Sequence, residues 1–173
     1  VFYTMGVNAD FDHRVIGWVN QIREKGRGGA HTPNEFIALE HLLHELRLFK
    51  SGAEIKYMKK AAKAAIAGHL RAMQSCQPGM YEYQVEAELL YEFKKAGCET
   101  AYPSIVGGGE NGCILHYTDN NCELNDGDLL LIDAGAEYNG YASDITRTFP
   151  VNGEFSEPQL ELYNLVLEAQ LAA

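Results

Sequence analysis

Phe11, Val15, Trp18, Val19 and Ile22 recur every three or four residues, with Asp10 and Asp12 before them and Lys25-Gly26 after them. That spacing predicts an amphipathic helix. Gly26 to Pro33 reads as a loop by composition, and a second helix is predicted from about Asn34 through Phe36, Leu39, Leu43 and Leu46. Ser51-Gly52-Ala53-Glu54 is a capping-box pattern that opens a long helix. Its expected packing face is Ile55, Met58, Ala62, Ala65, Ile66, His69 and Met73, with the alanines permitting close approach of a neighbour and His69 a core histidine. After Pro78-Gly79 a further helix runs from Tyr81 to Ala96, with Val85, Leu89 and Phe93 inward and Gly97 as its stop. Glu82, Glu86, Glu88 and Glu92 are assigned to its wet face.

Beyond Gly97 the period shortens. Ser104-Ile105-Val106 and Cys113-Ile114-Leu115-His116-Tyr117 are predicted strands around the loop Gly107 to Gly112, which lacks the lysine and helix of a phosphate-binding loop. Asn125 to Asp128 is a turn feeding the apolar strand Leu129-Leu130-Leu131-Ile132. Asn139-Gly140 favours a two-residue hairpin turn, because both positions accept positive φ. A last helix follows Ser156 and Pro158, with Leu160, Tyr163, Leu167 and Leu171 on one side, and it runs to Ala173 without a cap, as expected of a truncated chain. The fold class that results is α+β, with helices packed on one face of an antiparallel, curved sheet.

A length of 173 residues and a composition 46% hydrophobic and 22% charged describe a globular chain with room for one ordinary core. The formal charge of −10 argues against nucleic acid and anionic membrane as partners, since both need clustered Lys and Arg. No run is apolar enough to span a membrane, and Val1-Phe2-Tyr3-Thr4-Met5 is no signal peptide. The four cysteines, at 76, 98, 113 and 122, have no ligand-like spacing and are expected to stay reduced, which points to the cytoplasm. His41 and His44 lie one turn apart, but no carboxylate motif accompanies them, so they read as a solvated pair.

The chemistry concentrates around the hairpin. With Asn139-Gly140 as its loop, Tyr138 faces Tyr141, Gly135 faces Asp144 and Asp133 faces Thr146. Asp133, Gly135 and Asp144 then share one face, with the two aspartates diagonal neighbours at roughly 7 Å and the space over Gly135 left open. Two carboxylates so placed at the end of a buried strand repel each other unless a cation lies between them, and a pair of divalent ions fits that gap.

The segments Glu110-Asn111-Gly112-Cys113-Ile114-Leu115-His116-Tyr117, Asp126 to Gly135 and Tyr141 to Pro150 resemble the bacterial Xaa-Pro aminopeptidase branch of the pita-bread metallopeptidases. The resemblance implies half of a pita-bread domain over residues 34–173, preceded by the tail of an N-terminal domain and its linker over residues 1–33. It implies two divalent metal ions, usually manganese, with Asp133 a ligand of one and Asp144 bridging both. His116 would contact the substrate and assist proton transfer beside the metals, and Tyr102 falls where the family has an active-site tyrosine, although Tyr102-Pro103-Ser104-Ile105-Val106 departs from the family's usual wording. The implied reaction is removal of the N-terminal residue from peptides with proline second. Such sites take a further histidine and two glutamates from a downstream half, whereas after Asp144 this sequence offers only Glu154, Glu157, Glu161 and Glu168. The 173 residues alone are therefore expected to be inactive and to self-associate as a homo-oligomer through the uncovered aspartate-bearing face. The alternatives are a prolidase-type dipeptide hydrolase and a non-catalytic fragment that binds peptide or a partner.

Overall fold

In the computed structural model, which describes residues 1–173, the first predicted helix is α1, Ala9–Glu24. Asn8 caps it, its side chain accepting from the Phe11 amide at 3.0 Å. Tyr3, Phe11 and Trp18 stack edge to face along one side. The second helix starts later than expected, as α2, Leu39–Leu48. Residues before it are spent on a different pairing: the Tyr3 amide donates to the Ile37 carbonyl at 2.8 Å and the Ile37 amide to the Val1 carbonyl at 2.9 Å. A backbone committed to that bridge cannot also be helical. The chain divides into two compact units, Val1–Ser51 and Gly52–Ala173.

The second unit opens with α3, Gly52–Ser75, followed by α4, Glu82–Lys95. The face that α3 buries is Ala61, Ala64, Ala65, Gly68, His69 and Ala72, while Ile55, Met58, Ile66 and Met73 are exposed, contrary to expectation. Volume explains the rotation of the stripe. Phe93 and Leu89 of α4 fill the space over Gly68, where a Cβ would meet the Phe93 ring at 2.7 Å, so only the smallest side chains let the helices approach. His69 is buried as expected, its Nδ1 bonded to the Ala65 carbonyl at 3.0 Å.

The strands are β1 (Glu99–Thr100), β2 (Ile105–Gly108), β3 (Leu129–Ala134), β4 (Ala136–Tyr138), β5 (Tyr141–Ala142) and β6 (Ile145–Pro150). They form two three-stranded antiparallel ladders in the orders β1-β4-β5 and β2-β3-β6. The fold is α+β. Leu130, Ile132 and Ala134 alternate inward from β3 onto a core shared with Phe93, Leu89 and Val106, which leaves Asp133 on the opposite side. Cys113 to Tyr117 is not a strand. Gly109–Cys113 winds as a 3-10 helix and a turn follows. Ile114 and Leu115 are exposed there, so the apolar run that suggested a strand has no sheet face to bury. Finally α5, Glu157–Ala172, starts at the Ser156-Gln159 capping box and buries none of its residues.

Candidate metal centre

The expected register is the observed one: Tyr138 pairs with Tyr141, Ala134 with Ile145 and Asp133 with Thr146. Asn139 and Gly140 both take positive φ, 51° and 82°, as the tight turn requires. Between the two paired stretches the ladder is interrupted at Gly135 and at Ser143-Asp144, which belong to no strand. Ser143 keeps its amide bond to the Ala136 carbonyl at 2.8 Å, but its Oγ, not its carbonyl, accepts from the Ala136 amide at 3.0 Å. The side chain thereby substitutes for a main-chain acceptor. Released from the ladder, the Ser143 carbonyl turns onto Gly135, where a Cβ would be 1.8 Å from its oxygen.

Asp144 lies within that interruption and Asp133 two residues before Gly135, and Tyr102 joins them. The Tyr102 hydroxyl lies 2.6 Å from Asp133 Oδ1 and 2.8 Å from Asp144 Oδ1, so the carboxylates are no further apart than those two lengths together allow. The expected open space over Gly135 is occupied: the Tyr102 ring would stand 3.0 Å from a Cβ there. Burial, followed by the hydrogen bonds to Asp133 and Asp144 and their negative charge, raises the Tyr102 pKa far above its ordinary value, so the phenol holds its proton at any physiological pH. One phenolic proton is shared between the two carboxylates and can fully satisfy only one of them. Two hard oxygen donors converge here with one hydrogen between them and no lysine or arginine ion-paired to either. That donor chemistry fits a hard divalent cation with Asp133 and Asp144 as two of its ligands. No group of three or more His, Cys, Asp and Glu side chains that could hold a metal ion gathers in the chain.

His116 is not joined to this trio. It is exposed, at φ 57° in the turn after the 3-10 helix, and shares no hydrogen bond with Tyr102, Asp133 or Asp144. The residue that sequence reasoning missed is bonded to its chain neighbour Tyr117. Glu82, assigned to a wet helix face, is fully buried. Its Oε1 accepts from the Gly108 amide at 2.8 Å and Asn111 Nδ2 at 3.0 Å, and its Oε2 from Tyr117 Oη at 2.7 Å and the Cys122 amide at 3.0 Å. The available signal was position, since Glu82 is the first residue of α4, where a helix N-terminus favours negative charge, and its spacing from Val85, Leu89 and Phe93 puts it on the face that α4 buries.

Residues 56–173 match the model of metallopeptidase family M24. The Xaa-Pro aminopeptidase of Escherichia coli (strain K12) is 48% identical over 170 residues, covering 98% of this chain and 38% of that protein. That of Haemophilus influenzae is 52% identical over 141 residues, covering 81% of this chain and 33% of that protein. Among solved structures, aminopeptidase PepP from Pseudomonas aeruginosa superposes with a TM-score of 0.92 at 57% identity, over 99% of this chain and 39% of that one. Zinc-substituted Escherichia coli aminopeptidase P in complex with product superposes at 0.91 with 48% identity, over 97% of this chain and 38% of that one. The chain thus spans well under half the length of the relatives it matches, and over that span it has their pita-bread architecture. With an α+β frame of that kind and a matching family model over residues 56–173, the chain belongs to metallopeptidase family M24.

Proposed function

We infer that these residues belong to a metal-dependent Xaa-Pro aminopeptidase, which releases the N-terminal residue from peptides with proline in second position. One observation carries the reading: Asp133 and Asp144 converge on a single phenol. Asp133 and Asp144 would be metal ligands, with the remaining ligands outside residues 1–173. Bound there, divalent ions supply the Lewis acidity that activates water and polarises the scissile carbonyl. An all-oxygen contribution from this chain favours manganese over thiol-preferring metals. Tyr102 would hold the carboxylates in register through its retained proton, and His116, on an exposed turn, would reach the bound peptide and stabilise charge on its reacting carbonyl.

The cysteines are all unpaired, as a cytoplasmic protein would keep them, and no helix is long and apolar enough to cross a membrane. Residues 1–33 would be the tail of an N-terminal domain and 34–173 the first half of the catalytic one.

The test is hydrolysis of an Xaa-Pro-Yaa peptide by the full-length protein with manganese. Turnover is expected there, and none from residues 1–173 alone. Asp133→Asn or Asp144→Asn should lower kcat/KM on the order of a hundredfold or more, since even groups outside the coordination shell commonly cost that much. Failure of the full-length protein to cleave the peptide would overturn the reading, and preference for an Xaa-Pro dipeptide over longer substrates would move it to a prolidase-type hydrolase.

A further inference from the structure

The turn that carries His116 has little apolar anchorage. Ile114 is 53% exposed and Leu115 85% exposed, and His116 holds a positive φ that a non-glycine residue adopts only where its surroundings fix it. Within the turn the backbone closes on itself, the Ile114 amide donating to the Asn111 carbonyl at 3.1 Å and the Tyr117 amide to the Ile114 carbonyl at 3.3 Å. What ties it to the core is Asn111 on one side and Tyr117 on the other. Asn111 Nδ2 also lies 3.1 Å from Tyr117 Oη, so the two flanks are bonded to each other as well as to Glu82.

Glu82 has four donors and all of them come from one segment, residues 108 to 122, at both its ends and on either side of His116. No lysine or arginine pairs with it. A carboxylate removed from water with no countercharge is costly unless its lone pairs are filled, and here the groups that fill them set the geometry of the loop. A merely structural contact between α4 and this segment could be apolar at lower cost.

We propose that Glu82 is a positioning residue: its buried carboxylate fixes the turn that presents His116 to the substrate. The proposal rests on the role given to His116 above. Glu82→Gln keeps the shape of the side chain but sets an NH2 group against the Cys122 amide or the Gly108 amide, whichever way the amide is turned. Tyr117→Phe leaves the carboxylate and removes one donor beside His116.

The test is a double-mutant cycle in the full-length enzyme, with circular dichroism confirming that each variant is folded. Glu82→Gln is expected to lower kcat by about ten- to a hundredfold, the scale of a displaced reacting geometry, and Tyr117→Phe by less. In a His116→Ala background the same Glu82→Gln change should alter the residual rate by no more than about twofold, because the group it positions is gone. Loss of fold or of active fraction would instead multiply through both backgrounds, and equal losses in the two would overturn the proposal. The side-chain resonances of His116 in specifically labelled protein give a readout without turnover. They should shift or broaden in Glu82→Gln and in Tyr117→Phe, and unchanged resonances in both would also overturn it. Full activity of His116→Ala would overturn the role of His116 itself, which separates that failure from a failure of Glu82 alone.

Discussion

Gly135 and Ser143 meet across the interrupted hairpin so closely that a single added carbon on Gly135 would be 1.8 Å from the Ser143 carbonyl oxygen. This contact, with the Ser143 hydroxyl taking over the Ala136 amide, accompanies the interruption of the ladder at Gly135 and Ser143-Asp144. The obstacle to a side chain is backbone, so no rotamer change relieves it. Gly135→Ala should therefore destabilise the protein by about 2–4 kcal/mol, at the upper end of overpacking effects. Urea unfolding of the full-length protein measures the loss. Affinity for a divalent cation should fall along with it, because Asp144 lies in the break and Asp133 two residues before Gly135.

Tyr102→Phe removes the one proton shared by Asp133 and Asp144. The sign of its pH effect follows from the raised phenol pKa. An ordinary tyrosine ionises near 10.0, so above that pH the unfolded chain loses the Tyr102 proton while the folded chain retains it. Folding then binds more protons than unfolding, and the stability that the phenol contributes, complete below that pH, is lost as pH rises. The native protein should lose stability more steeply above pH 10 than Tyr102→Phe does, as read by unfolding midpoints across the alkaline range. Parallel curves would mean that the phenol is not shielded.

Gly68 and Phe93 make a second steric prediction, far from the carboxylates. A methyl group on Gly68 would press on the Phe93 ring edge at 2.7 Å, with the Leu89 side chain 3.3 Å away. Gly68→Ala gains helix propensity but must displace that ring, and the net should be a destabilisation of about 1–3 kcal/mol. Combining it with Phe93→Leu, which withdraws the ring edge, should recover part of the loss. Thermal unfolding of the single and double variants checks both statements.

The hairpin was legible because Asn139-Gly140 sets a register that no other local choice competes with, and period-two alternation then fixes which side chains share a face. Its interruption was not, since nothing in the residue types alone says that Ser143 will satisfy Ala136 with its hydroxyl. The inward face of α3 was misread for a related reason: hydropathy favours Ile55 and Met58, whereas packing against Phe93 selects alanine and glycine. Cys113 to Tyr117 has the composition of a strand but no partner to pair with. Glu82 is the plainest case: its spacing from Val85, Leu89 and Phe93 puts it on the buried face, but the four donors that make burial of a carboxylate possible come from distant positions, which no local pattern displays.

The last helix carries a prediction about the chain as a physical object. Leu162, Leu165 and Val166 are each more than 60% exposed, Leu160, Leu167 and Leu171 are exposed too, and no residue of α5 is buried. Apolar residues thus occur all round it, the pattern of a helix that is normally enclosed. The helix is nonetheless anchored at its start, where Gln159 Nε2 donates to the Gly127 carbonyl at 2.9 Å and Phe155 packs on Tyr163 with ring centroids 5.0 Å apart. Exposed apolar surface held in a fixed place is a surface for association. Residues 1–173 on their own should therefore self-associate, with a second copy covering α5. Light scattering coupled to gel filtration should show a mass that rises with concentration, and Leu162→Glu with Val166→Glu should return it to that of one chain. A single-chain mass for the unsubstituted protein at high concentration would show that α5 does not associate.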